Sequence, residues 1–141
     1  MFYLEIHQVQ RLIDLGFKPP YDLAEVYANQ IYNYNNDEWA VGGRLTGDDL
    51  ILAPEEVYKE GIRLFSIDEV FDWIHMEGLG LRLYKNINSG YKFIIIDEFG
   101  IEHKGPGGTL NYAVFNTVEK YLMNRNQKVQ LRELDEGGDI I

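Results

Sequence analysis

Three histidines (His7, His75 and His103) and several adjacent carboxylate pairs carry the groups from which a catalytic or metal site would be built in this 141-residue chain. None of the histidines has a metal-binding partner at the i+4 spacing that sets two ligands on one helix face. Glu102-His103 and Asp97-Glu98 would form a weak cation site if a hairpin brought them together, but a solvated strand edge is the simpler reading. The pairs Asp37-Glu38, Asp48-Asp49 and Glu55-Glu56 have the group type needed for acid–base work. Catalytic carboxylates, however, converge from separate segments into a pocket that shifts their pKa values, whereas neighbours in a loop are usually solvated. There is no cysteine, and so neither a thiolate metal site nor a disulfide framework. No Ser/His/Asp arrangement stands out. The chain is therefore expected to be no enzyme, with no metal and no cofactor.

The glycine-rich stretch Gly105-Pro106-Gly107-Gly108-Thr109 invites comparison with phosphate-binding loops, whose amides cradle an anion at a helix start. It fits neither the P-loop nor the dinucleotide fingerprint, since no lysine or acidic partner stands at the required spacing. A tight passage from an edge strand into a helix accounts for it more simply.

The elements that would position these groups follow from periodicity. Tyr91–Asp97 is the most apolar run, and its three consecutive isoleucines place apolar side chains on both faces of a strand, so it belongs in the middle of a covered sheet. Before it, Leu81–Ile87 alternates, with Leu81, Leu83 and Ile87 on one face and Arg82, Tyr84 and Asn86 on the other. Asn88-Ser89-Gly90 forms the hairpin loop between the two. A short edge strand follows at Ile101–Lys104. The flanking helices are equally readable. Ser66 with Glu69 makes a capping box, and Phe65 with Val70 a staple, for a helix that buries Ile67, Val70, Phe71 and Ile74 and stops at Gly78. Thr109 caps a last helix with Leu110, Val114, Val118, Tyr121 and Leu122 inward. Beyond Met123 the chain turns polar, with a marginal strand around Val129–Leu131 and a loose acidic end.

Upstream, Ile6, Val9, Leu12 and Ile13 define an amphipathic helix over Tyr3–Leu15, capped by Gly16 and ended by Pro19-Pro20. Asp22 and Glu25 open a second helix whose stripe is Leu23, Val26, Tyr27, Ile31 and Tyr34, with Asn33, Asn35, Asn36 and Asp37 ending it. Trp39–Leu52 reads as a long irregular connection with short apolar pieces at Trp39–Val41 and Leu50–Ala53, or as one that holds a short strand pair. Pro54-Glu55-Glu56 opens a one- or two-turn helix that Gly61 closes. The fold class expected is α+β: N-terminal helices followed by an α-β-β-β-α unit with a three-stranded antiparallel sheet. The chain is read as one domain, with a helical acidic part over 1–63, the α-β-β-β-α core over 64–124 and a polar tail over 125–141.

An α-β-β-β-α order is also that of double-stranded-RNA-binding domains, which meet phosphates with lysines at the start of the last helix. Here that position reads Thr109-Leu110-Asn111-Tyr112, with no base until Lys120. Charge points away from nucleic acid altogether. The net charge is −10, and Asp22–Glu77 alone holds thirteen acids against three bases. Such a surface repels phosphates and attracts a basic protein surface. Within it, tyrosines and a tryptophan alternate with asparagines and carboxylates, combining interface anchors with charges that steer a partner. The candidate partner-binding residues are Tyr32, Tyr34, Asp37, Glu38, Trp39, Asp48 and Asp49. No window reaches the ~18 apolar residues of a membrane span, and the basic start of a signal peptide is missing, so a cytoplasmic protein with no membrane partner is expected.

In size, acidity and its compact α-β-β-β-α ending, the chain resembles the short acidic proteins encoded by phages, including the anti-CRISPR inhibitors of Cas9-type nucleases. The likeness lies in these whole-chain properties and transfers no site residue. It implies an inhibitor, working in the cytoplasm of the phage's host, that binds an RNA-guided nuclease. Such an enzyme offers a positively charged channel. The same charge logic fits an immunity protein for a nuclease toxin. From a different class, a small structural component of a phage or mobile element fits too.

Overall fold

The computed structural model describes residues 3–18, 29–42, 55–88 and 90–138. Along these run helix α1 (Ile6–Asp14), strands β1 (Asn29–Tyr34) and β2 (Asp37–Gly42), helix α2 (Glu55–Glu60), strand β3 (Ile62–Arg63), helix α3 (Ile67–Met76), strands β4 (Gly80–Asn86), β5 (Gly90–Ile96) and β6 (Glu102–Gly107), and helix α4 (Leu110–Gly138). The class is α+β, with two three-stranded antiparallel sheets ordered β2-β1-β3 and β4-β5-β6.

Local chemistry explains the helix ends. Gly16 (φ 99°) turns left-handed after α1, letting Phe17 N–H donate to Leu12 O at 2.8 Å and Gly16 N–H to Ile13 O at 2.9 Å. Gly78 (φ 74°) does the same after α3, with Leu79 N–H donating to Ile74 O at 3.0 Å. Both are Schellman endings. Ser66 Oγ accepts from Glu69 N–H at 3.1 Å and starts α3. The Glu69 carboxylate forms a two-pronged pair with Arg63, at 2.8 and 2.7 Å, in an almost fully buried setting.

One core joins α1, α3, β5 and α4. Val9, Leu12, Val70, Ile74, Phe93, Ile95, Val114 and Leu122 are sealed from solvent within it. Strand β5 is central, and Phe93 and Ile95 are buried under α4 while Ile94, on the other face, is buried as well. Phe71 stacks on Phe93 at 5.7 Å between ring centres.

The first three residues of the glycine-rich stretch, Gly105 to Gly107, end strand β6. Gly105 and Gly107 lie two apart and so face the same side, toward α4. A Cβ on Gly105 would stand 2.5 Å from Thr117 N, and one on Gly107 would stand 2.3 Å from Ala113 N. The helix backbone rests directly on the strand. Thr117 Oγ1 lies within reach of three carbonyls, at Phe93 (2.9 Å), Gly105 (3.2 Å) and Ala113 (2.8 Å), and ties β5, β6 and α4 together. Close packing is what these glycines provide.

Several expectations are corrected. The segment 29–34, expected at the end of a second helix, is strand β1; residues 19–28, where that helix would begin, lie outside the described residues. Asn35 (φ 52°) and Asn36 (φ 65°) are both left-handed, as the two central positions of a type I′ hairpin turn require. They join β1 to β2, so the asparagines make a hairpin and not a helix end. Trp39–Val41, read as part of an irregular connection or of a short strand pair, belongs to β2, and 43–54 lies outside the described residues. On β4, Leu81 and Leu83 are 39% and 41% exposed, and Ile87 stands in the turn at 98%. Finally, α4 continues to Gly138, so residues 125–138 of the polar tail are helix and no strand forms at Val129–Leu131.

Candidate functional site

The β1–β2 hairpin carries most of the residues proposed from sequence as a binding surface. Its register pairs Tyr32 with Trp39, Asn33 with Glu38 and Tyr34 with Asp37. Paired residues share a face, so Tyr32, Tyr34, Trp39 and Asp37 lie on one side and Glu38 on the other. The three aromatic side chains are half-buried and pack on the fully buried Val57 of α2. Tyr32 Oη donates to Gln30 Oε1 at 3.1 Å. Trp39 Nε1 is buried with no hydrogen-bond partner among the described residues. On the opposite face, Ile31 of β1 and Ile62 of β3 pack against the main core.

The rings are thus first a satellite core that fixes the hairpin, each with a partial edge toward solvent. Asp37 and Glu38 are exposed, and neither forms an ion pair among the described residues. Asp48 and Asp49 lie outside the described residues. The structure therefore gathers the three rings and Asp37 on one face and sets Glu38 on the reverse at the same tip.

A second site has a pocket. At the far end of β5, a recess of about 270 Å³ is lined by Glu77, Leu79, Asp97, Glu98, Phe99, His103, Tyr121, Arg125 and Lys128. His103 is buried at its back. Its Nε2 lies 3.0 Å from Asp97 Oδ2, and its Nδ1 lies 3.1 Å from Asn124 Nδ2. The other Asp97 oxygen accepts from the backbone N–H groups of Phe99 (2.9 Å) and Ile101 (3.0 Å), closing the β5–β6 turn. The His103 hydrogen bond, aided by those two amides, holds the Asp97 carboxyl below its usual range. The Tyr121 ring meets His103 edge-on at 5.2 Å, and its burial pushes the phenol pKa up, against the opposing charge of Arg125. Arg125 lies over Tyr121 at 5.8 Å, and Lys128 over Phe99 at 5.8 Å.

Chemically, this arrangement is committed to holding the turn. With one imidazole nitrogen facing a carboxylate and the other an amide, His103 has no lone pair free toward the pocket for general-base work. The hairpin does join His103 to Asp97, but Glu102 points to the opposite sheet face, where it meets Arg82 (3.6 Å) and Lys104 (3.1 Å). His103 is thus not at a solvated edge. No cluster of three or more potential metal ligands exists among the described residues. Arg125, Lys128 and Asn124 were missed because the polar composition after Met123 suggested a tail. The signal available was the four-residue spacing of Tyr121 and Arg125, which continues the helix face.

No protein-family model, curated protein or solved structure matches this chain. No helix among the described residues is long and apolar enough to cross a membrane.

Proposed function

We propose that the chain is an acidic protein-binding inhibitor that seats the tip of its β1–β2 hairpin on the basic surface of a nucleic-acid-handling enzyme such as a CRISPR Cas9-type nuclease. The observation that carries this reading is the pair of exposed carboxylates, Asp37 and Glu38, without an ion-pair partner among the described residues and held at a turn whose two left-handed asparagines leave the backbone little freedom. A rigid tip loses little conformational entropy on docking. Beside it, the partly exposed edges of Tyr34 and Trp39 supply apolar contact next to the charges. The net charge of −10 adds long-range attraction toward a cationic channel and keeps the protein itself off nucleic acid. No cofactor and no covalent chemistry enter this mode of action; the inhibitor competes with phosphates for the same arginines and lysines.

The test is DNA cleavage by a panel of guide-loaded Cas9-type nucleases with and without the purified protein, with association kinetics at two salt concentrations for any enzyme inhibited. The Asp37→Asn/Glu38→Gln variant should associate several-fold more slowly at low salt, with an unchanged melting temperature, because exposed charges add little to the fold. Full cleavage across the panel would refute the nuclease assignment. Inhibition with unchanged association of the double variant would move the interface off the hairpin.

A further inference from the structure

The two edges of the β4–β5–β6 sheet differ in how they are guarded. Strand β6 lies against α4, and Pro106 lacks the N–H that a pairing strand would need. Strand β4 is bare. It runs seven residues in unbroken register with β5, from Gly80 opposite Ile96 to Asn86 opposite Gly90, without bulge or proline. Every residue from Gly80 to Lys85 is exposed, and no strand pairs with the outer side of β4 among the described residues. Arg82 and Lys85 bring charge to this edge, but its other large exposed side chains are apolar or aromatic. Leu81 and Leu83 continue the apolar face of buried Phe93 and Ile95, and Tyr84 stands 46% exposed on the reverse.

We propose that β4 is a dimerisation edge, pairing antiparallel with β4 of a second copy to give one sheet continuous through both molecules. A two-fold axis normal to the sheet keeps like faces together, so the axis must pass through a residue of β4 and its mate. Charge selects which. Centred on Arg82, the pairing sets two guanidinium groups directly opposite one another. Centred on Tyr84, no leucine meets a leucine, and Arg82 stands opposite Asn86 with no aromatic neighbour. Centred on Leu83, it sets Leu83 against Leu83 of the second copy, the stem of Lys85 along Leu81, and Arg82 across from the Tyr84 ring. No like charges meet, each cation gains an apolar or aromatic neighbour, and both exposed leucines are covered. This self-complementarity is what commits the edge to a second copy of the chain.

Light scattering on the full chain, from low to high micromolar concentration, should show a shift toward twice the 16.4 kDa chain mass. Added salt should favour the dimer by screening the repulsion between two chains of charge −10. That response is opposite in sign to the salt-weakened nuclease binding proposed above, so the two readings fail separately. Leu83→Lys should weaken dimerisation about tenfold or more by setting like charges opposite each other. At a concentration low enough for the wild type to be monomeric, its circular dichroism and melting curve should match the wild type, since the side chain is 41% exposed. Because the chain has no cysteine, single cysteines report the register directly. Leu83→Cys should give an oxidised dimer readily, and Tyr84→Cys and Ile87→Cys should not. A monomer at every concentration, a dimer indifferent to Leu83→Lys, or equal cross-linking at all three positions would overturn the proposal.

Discussion

Adjacent glycines at the end of β6 should respond in opposite ways to the same substitution. A Cβ on Gly107 would stand 2.3 Å from Ala113 N, 2.8 Å from Tyr112 C and 2.9 Å from Ala113 Cα, where ordinary contact begins at 3.4 Å. All three neighbours are helix backbone, so no side chain can swing aside; α4 must lift by about an ångström or the strand must bend. Lifting the helix also stretches the Thr117 hydroxyl contacts to Phe93 and Gly105 and loosens the seam that buries Ala113 and Val114. Gly107→Ala should therefore cost about 3 kcal/mol, at the upper end of what overpacking usually costs. Gly108, one residue on, has nothing within 4 Å of an added Cβ and no left-handed φ. Gly108→Ala should fall within about 0.5 kcal/mol of wild type, or gain slightly through a less flexible unfolded chain. Urea denaturation followed by the fluorescence of buried Trp73 gives both numbers. A Gly107→Ala loss below about 0.5 kcal/mol would mean that α4 does not rest on β6 as described.

Two further outcomes follow from the buried charges. Arg63→Met should lower stability by about 3–5 kcal/mol, because it strands the Glu69 carboxylate, 2% exposed, without its partner. The double variant Arg63→Met/Glu69→Gln should recover much of that loss, and denaturation of the wild type, both single variants and the double variant would show whether the pair is coupled. Asp97 has a folded-state pKa below its unfolded value, so the unfolded chain takes up this proton first. Its contribution is present above about pH 4 and disappears as pH falls through the lower folded value. Asp97→Asn should therefore flatten the acid limb of stability against pH, read from melting temperatures between neutral pH and about pH 3; an unchanged limb would contradict the His103–Asp97 contact.

The second half of the fold was legible because independent local signals agreed. Around α3, the cap at Ser66, the apolar stripe and the left-handed Gly78 all mark the same helix, and β5 announces itself by burying consecutive isoleucines. The first half was misread where one pattern admits two periods. Ile31 and Tyr34 fit a helical stripe at i, i+3, yet Gln30, Tyr32 and Tyr34 equally fit one face of a strand, and only the pair of left-handed asparagines decides between them. The glycines at 105 and 107 suggested a turn, because a sequence does not display the helix that comes to lie on them. The same holds for β4, where alternation put the leucines on one face but could not say that the strand would lie at the edge of the sheet with both leucines exposed.

Charge was the most readable property and also the least localised. The acidic excess of the first half reaches solvent at Asp37 and Glu38, while Arg82, Lys92 and Lys104 share the open face of the second sheet with Glu102 as the one acid. Net charge alone hides this separation. A protein with a rigid acidic tip and an edge strand whose cations find neutral neighbours in a second copy can keep its ends distinct. Pairing through β4 leaves the β1–β2 tip of each copy uninvolved, so a dimer would present two acidic tips at once. Avidity from two tips would then appear only toward a partner with two basic sites at matching separation. On a partner with a single such site, Leu83→Lys should leave affinity unchanged, which separates the contribution of the edge from that of the tip.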